Sequence, residues 1–267
     1  MGALSLISTL LDALTQPRCV GCENPDLGSD EALCIHCLRE LPWWRHVDGC
    51  PRCGSRLPSR AVFEGCPGCL VEGSPLHRCY ALTRYEGDLR RWIPGFKNAK
   101  GPFGPGTAIR LAIDGLATKL ALQVARQTNT RPDLIVSIPL HPRRQRQRGF
   151  NHVDPIAQRI AATLDLPWAP NALERIHDTR SQARLIGQRR HENIRGAFRG
   201  RKGFAGAPQV WLVDDVLTTG NTLDAAANAL LEAGCGEVRA LTLAATLPTR
   251  RAAHKEATVM LPPRMTD

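Results

Sequence analysis

No run of the sequence reaches the roughly 18 apolar residues that a membrane span requires. The opening stretch MGALSLISTLLDALTQPRC is apolar but broken by Ser5, Ser8, Thr9 and Asp12, and it lacks a basic leader and a small-residue cleavage site. It reads as a short amphipathic docking helix rather than a secretion signal. Lysine is absent from residues 1–79, where seven Arg face nine Asp and Glu. A nucleic-acid surface needs a basic face interleaved with aromatic rings, so this slightly acidic span does not offer one. Its adjacent Trp43 and Trp44 could stack on a base; packing against a neighbouring element is the simpler reading.

The chain nevertheless carries a net charge of +10. Residues 141–202 hold fourteen Arg and Lys against five Asp and Glu, so the basic character belongs to the second half. Any anion this protein meets is expected there. A length of 267 residues accommodates one sizeable α/β domain plus a small module.

Eight of the ten cysteines form four C-x-x-C pairs: Cys19/Cys22, Cys34/Cys37, Cys50/Cys53 and Cys66/Cys69. A tight C-x-x-C turn presents two thiolates to one metal, and a second turn completes the tetrahedral S₄ shell that zinc accepts. Eight thiolates make two sites. Eleven residues separate Cys22 from Cys34 and twelve separate Cys53 from Cys66, a match that favours two consecutive ribbons over cross-braced pairing. Redox chemistry normally uses one such pair on a βα turn rather than four in a row. So short a stretch can hardly bury a core, and two structural Zn²⁺ ions are expected to supply its folding energy. His36, His77 and Cys79 read as bystanders, and Cys235 as a small buried residue. Thiol clusters of this kind fit a reducing, cytoplasmic compartment.

From about residue 80, apolar strands alternate with amphipathic helices. The pattern predicts helices over 107–127, 152–164, 188–197 and 221–233, and strands over 133–138, 209–213 and 237–245. Strands rich in Val, Ile and Leu separated by helices imply an α/β fold, a mostly parallel sheet covered on both faces. The expected organisation is an N-terminal helix and double ribbon over 1–79, an α/β unit over 80–247, and a basic, disordered tail over 248–267. Ligands in such sheets bind at the carboxyl ends of the strands.

At one such end stands V-W-L-V-D-D-V-L-T-T-G-N-T, residues 210–222. A carboxylate pair could serve a hydrolase as acid and base or a metal enzyme as ligands. The continuation decides between them. Thr218, Thr219, Gly220, Asn221 and Thr222 lead into a helix, offering backbone amides, hydroxyl donors and the positive end of a helix dipole to a phosphate. Asp214 and Asp215 repel that phosphate, so they are expected to face sugar hydroxyls, a metal ion, or both. A phosphosugar meets all these demands.

This stretch resembles the phosphoribosyl pyrophosphate (PRPP) motif of type I phosphoribosyltransferases. The resemblance implies that Asp214 and Asp215 hold the ribose hydroxyls, with catalytic consequence, and that residues 218–222 bind the 5′-phosphate. The similarity extends to the ComF (competence protein F) family, which joins a double zinc ribbon to a transferase domain. It is carried by the C-x-x-C pairs, Cys53-Gly54, Tyr85, Lys97, S-I-P-L-H-P-R-R-Q-R-Q-R-G-F-N, S-Q-A-R-L at 181–185 and R-R-x-E-N-I-R-G-A-F at 189–198. One departure concerns Lys97: relatives follow the aromatic-flanked lysine with a short basic stretch, whereas here N-A-K-G-P follows.

Arg143, Arg144, Arg146 and Arg148 crowd into six residues, which is costly unless a dense anion neutralises them. Pyrophosphate fits the arginine forks; a solvated basic turn and nucleic-acid phosphate remain alternatives. Arg189, Arg190 and Arg195 could extend the patch. The resemblance implies that residues 137–144 are the pyrophosphate loop, that Mg²⁺ accompanies PRPP, and that the protein acts in DNA uptake alongside single-stranded DNA and competence DNA-processing proteins. Two functions follow from it: a phosphoribosyltransferase whose acceptor the sequence does not reveal, or an inactive PRPP-sensing adaptor acting through partners.

Overall fold

The computed structural model describes residues 18–27, 32–45, 49–54, 65–71, 73–98, 106–177, 196–201 and 209–246. The expected N-terminal helix, most of the expected helix at 188–197, the S-Q-A-R-L segment, Arg189, Arg190, Arg195 and the tail lie outside them.

Two short helices, α1 (Ile35–Arg39) and α2 (Pro67–Val71), belong to the cysteine-rich part. They are followed by β1 (Arg78–Arg84), α3 (Leu89–Asn98), α4 (Thr107–Gln127), β2 (Leu134–Ser137), α5 (Pro142–Arg148) and α6 (Val153–Leu164). The chain continues with β3 (Leu173–Arg175), β4 (Phe198–Gly200), β5 (Gln209–Leu217), α7 (Asn221–Glu232) and β6 (Glu237–Ala245). Four strands form one all-parallel sheet in the order β1-β6-β5-β2, and β3 and β4 form a small antiparallel pair.

The central strand β6 is buried along almost its whole length, so it reads as a continuous apolar run rather than an alternation. Helix α4 buries Ala112, Ile113, Leu116, Ala117, Leu120, Ala121 and Val124, a stripe at three- and four-residue spacing. With α3 and α6 it covers one face of the sheet, around Trp92, Ile156 and Trp211. Helix α7 and the β3–β4 pair cover the other, around Val136, Leu212 and Leu230. Each such large side chain contributes roughly 1.5–3 kcal/mol by leaving water.

The cysteine-rich part closes one edge of this sheet. Trp43 forms an antiparallel bridge with Thr83, Trp44 N–H donates to the Leu82 carbonyl at 3.0 Å, and Arg84 N–H donates to the Pro42 carbonyl at 2.7 Å. An edge left bare would offer unpaired backbone groups to other chains. The two tryptophans thus take the packing role. The ribbon also feeds the main core: Leu27, Leu33 and Leu41 are buried in the same cluster as α3 and α4.

Helix α3 was not foreseen. Although Pro94 lies inside it, Leu89, Trp92, Ile93 and Phe96 form a buried helical stripe. Gly95 makes room for α4, because a Cβ there would lie 2.9 Å from Ile109 Cδ1. The same helix carries Lys97 on its last turn.

Candidate functional site

Strand β5 continues past the apolar run to Leu217, longer than the 209–213 expected, because Asp214, Val216 and Leu217 keep their register with Thr242, Ala244 and Ala245 of β6. The acidic pair therefore sits on a rigid strand. Alternation sends the two side chains to opposite sides. Asp215 is 5% exposed, whereas Asp214 is half-buried.

The Asp215 carboxylate is surrounded by donors. Lys97 Nζ contacts its Oδ2, and His152 Nε2 faces the same oxygen at 3.5 Å. Burial alone would raise this carboxyl, but His152 and Lys97 outweigh it and hold it well below the usual carboxylate range. Burial lowers His152 despite the opposing pull of Asp215, favouring the neutral ring. Arg148 Nη1 lies 3.2 Å from His152 Nδ1. A guanidinium can only donate, so Nδ1 accepts and the ring proton rests on Nε2, toward Asp215.

Asp214 has the opposite character. Burial, reinforced by the neighbouring Asp215 charge, pushes it up to about 8. Its Oδ1 accepts the Asp215 backbone N–H at 2.9 Å. One member of the pair is thus a fixed carboxylate and the other holds its proton near neutrality.

Beyond the pair, Thr218 and Thr219 are exposed and Gly220 is buried, in the left-handed region at φ 80° as the N-cap of α7. Asn221 and Thr222 open the helix, half-buried. Asp224 N–H makes the first backbone bond of α7, to the Gly220 carbonyl at 2.9 Å. The amides before it belong to the unpaired first turn.

The neighbouring strand β2 delivers the arginines. Ser137 pairs with Val213, and Ile138 N–H donates to the Val213 carbonyl at 2.9 Å, so residues 138–141 emerge beside Asp214 and Asp215. The basic segment is not a loop throughout: it turns into α5 at Pro142, with His141 Nδ1 accepting the Arg143 N–H at 3.3 Å and Gly149 ending it at φ 84°. Four-residue spacing puts Arg144 and Arg148 on one face of α5. Both are half-buried, while Arg143 and Arg146 are exposed. Asn151 Nδ2 fixes the turn by donating to the Ile138 carbonyl at 3.1 Å and to Asp154 Oδ1 at 2.6 Å, which also accepts Ser137 Oγ at 2.7 Å.

The site thus assembles the acidic pair, the 218–222 loop, Arg148 and, through shared helix face, Arg144. Sequence reasoning missed His152 and the partner of Lys97. A histidine directly after R-G-F-N, at the start of a helix, was the available signal.

The cysteines form two separate clusters, Cys19, Cys22, Cys34 and Cys37, and Cys50, Cys53, Cys66 and Cys69, with all four sulfurs of each within 4.8 Å of one another. This is the consecutive arrangement, not the cross-braced one. Cys22 and Cys34 sulfurs lie 3.5 Å apart, and those of Cys53 and Cys66 lie 3.7 Å apart. Four ligands at about 2.3 Å around a tetrahedral zinc stand about 3.8 Å from each other, so both clusters fit Zn²⁺. Thiols so crowded also need a dication. Burial and the adjacent sulfurs drive Cys37 far above its ordinary value and push Cys69 up to about 12, whereas hydrogen bonding from Cys53 leads the fall of Cys50 to about 4. His36, His77 and Cys79 join neither cluster; His77 Nδ1 instead faces Glu237 at 3.2 Å.

Family models match both the cysteine-rich part and the later part of the chain. Residues 10–70 match the double zinc ribbon domain, and residues 154–263 match the phosphoribosyl transferase domain. The DNA utilization protein YhgH of Escherichia coli K12 is 34% identical over 236 residues, which is 88% of this chain and all of that protein. Competence protein F of Haemophilus influenzae is 29% identical over 85% of this chain and 96% of that one. A glutamine PRPP amidotransferase from B. subtilis shares 18% identity over 57% of this chain and 30% of its own, at a TM-score of 0.40, too slight a likeness to carry an argument. With a double ribbon, a transferase-type parallel sheet and relatives matched over 96% or more of their length, the chain belongs to the ComF family of competence and DNA utilization proteins.

Proposed function

We propose that this protein binds PRPP with Mg²⁺ at the carboxyl end of β5 and acts on DNA taken up or utilised by the cell. The observation that carries the reading is a buried Asp215, contacted by Lys97 and His152, three residues ahead of a loop that closes, through a left-handed Gly220, on a helix N-terminus. The loop 218–222 holds the 5′-phosphate through its amides and hydroxyls. Asp214 and Asp215 hold the ribose hydroxyls and are the residues that would bind Mg²⁺, which adds positive charge beside the diphosphate.

Arg144 and Arg148 face the diphosphate from α5, with Arg143 at its entrance. As the bond to pyrophosphate breaks, positive charge builds at C1′ of the ribose. A carboxylate fixed on a strand stabilises it without reorganisation. His152 and Lys97 position Asp215 rather than touch the sugar. The relatives' names bring a DNA partner to this reading; the proposal also places the protein in the cytoplasm and divides it into ribbon, transferase-like unit and tail near residues 79 and 247. No helix among the described residues is long and apolar enough to cross a membrane.

The test is a calorimetric titration of the zinc-loaded protein with PRPP, with and without Mg²⁺, followed by pyrophosphate release with a panel of base, nucleoside and DNA acceptors. Saturable, Mg²⁺-dependent binding supports the reading, and acceptor-dependent release makes the protein an enzyme. No binding of PRPP or ribose 5-phosphate at millimolar concentration sinks it.

A further inference from the structure

The second cysteine knuckle lies against the phosphate loop. Cys50 to Gly54 form a tight turn, closed by Gly54 N–H donating to the Cys50 carbonyl at 2.8 Å. Gly54 stands at φ 71°, and a Cβ on it would lie 2.0 Å from Cδ2 of Leu217, the last residue of β5. Next to it, a Cβ on Gly220 would stand 3.4 Å from the Cys53 carbonyl oxygen. The knuckle backbone thus leaves no room for a side chain at Gly54, where it packs on the Leu217 side chain just ahead of the loop, and its Cys53 carbonyl faces Gly220 within the loop.

The knuckle is held from behind as well. Cys79 N–H in β1 donates to the Pro51 carbonyl at 2.7 Å, and a Cβ on Gly49 would lie 2.7 Å from the Trp44 ring. The cluster itself adds to this support. Cys66 N–H donates to Cys50 Sγ at 3.2 Å, and the Cys66 sulfur closes on that of Cys53. The first cluster is placed differently, with Cys19 and Cys34 buried in the core on the α3–α4 face.

We propose that residues 50–54 form a wall of the phosphate loop, so that metal filling of the Cys50, Cys53, Cys66 and Cys69 cluster holds Gly220 in the conformation that accepts a phosphate. The inference rests on the phosphosugar reading and adds to it a dependence on one zinc of the two. Without the metal, four crowded thiols separate, the knuckle loses its rigid frame, and Leu217 and Gly220 lose the surface they pack on. Cys53 and Gly54 are positioning residues: they shape the loop without offering it a donor.

The experiment compares amide hydrogen exchange in the full-length, zinc-loaded protein with that in Cys66→Ser, a change on the knuckle remote from the loop. The expected result is exchange at residues 217–223 faster by about tenfold or more while amides of β6 stay protected. The matching change in the first cluster, Cys22→Ser, is expected to open residues 19–37 instead. If Cys66→Ser unfolds the whole chain, Gly54→Ala decides, because it leaves every thiol in place and drives a methyl group into Leu217. Faster exchange at 217–223 in Gly54→Ala, reversed in the double variant with Leu217→Ala, supports the wall. Unchanged exchange at 217–223 in whichever variant folds overturns it. Ribose 5-phosphate titrations on the same samples separate the two ideas: if the zinc-loaded wild type fails to bind it, the phosphosugar reading falls while the exchange data still decide the coupling.

Discussion

The ammonium of Lys97 rests on Oδ2 of Asp215, the oxygen that His152 Nε2 also faces at 3.5 Å. A helix absent from the sequence-based assignment thus supplies a cation to the buried carboxylate of the site. Lys97→Met should leave that charge without its partner and lower stability on the order of 3 kcal/mol. The variant's thermal midpoint is expected to become Mg²⁺-dependent without PRPP, since a second cation can take the empty place. A midpoint equal to wild type, with no response to Mg²⁺, would show that the contact contributes nothing.

The opposed titration of the pair gives a pH dependence. Asp214 is raised from 3.8 to about 8, so folding favours its protonated form. Its stabilising contribution is fully present below the unfolded value and is lost as pH rises toward about 8. Asp214→Asn mimics the protonated form at every pH. It should match wild type in thermal midpoint below the unfolded value of 3.8 and exceed it increasingly from there to about pH 8. Binding should move the other way, with Mg²⁺-dependent PRPP affinity in the wild type rising over the same range as the carboxylate forms. Parallel melting curves and titrations check both slopes.

Much of the scaffold could be read from the sequence. Helix α4 and strand β6 occupy the expected residues, because a long apolar stripe and a nine-residue run buried on both faces leave little choice of period. The errors fell where polar or breaking residues carry local structure. Asp214 and Asp215 ended the apparent strand, although Val216 and Leu217 continue its pairing. Helix α3, with Pro94 inside it, went unassigned, and so did α5, which buries no side chain and is marked only by its caps, His141 and Gly149. The turn from β5 into α7 around Gly220 was legible because its signals are local. Lys97, His152 and the 50–54 knuckle were not, since each reaches the site through contacts between distant parts of the chain.

The clusters should bind two zinc ions per chain, one to each set of four thiolates. Metal analysis of protein purified without chelator checks the count, and the absence of zinc, or iron with a visible charge-transfer band, would refute the assignment. Cys50→Ser should bind one.

The arginines of α5 should divide by face. Arg144 and Arg148 share the half-buried side and Arg143 and Arg146 the exposed one. Arg144→Ala is expected to weaken PRPP binding by about tenfold or more and single-stranded DNA binding only slightly, as befits a bidentate diphosphate contact. Arg146→Ala should do the reverse and reduce the salt dependence of DNA binding. Titrations at one fixed salt concentration check the ranking, and the opposite order would make α5 a nucleic-acid face throughout.

The two halves of the 214–222 motif should fail differently. Changing Asp214 and Asp215 together to Asn keeps size and removes charge, so PRPP binding should lose its Mg²⁺ dependence while ribose 5-phosphate, held mainly by the loop, suffers less. Gly220→Val acts on the other half: its φ of 80° strains any branched side chain, and the new atoms would crowd the Cys53 carbonyl. Both ligands should then be lost. Because Lys97 and His152 would face a neutral side chain in the double asparagine variant, its fold is checked by circular dichroism before titration. Equal losses of both ligands in both variants, with the fold intact, would deny the division and leave the carboxylates as a structural pair held by Lys97 and His152.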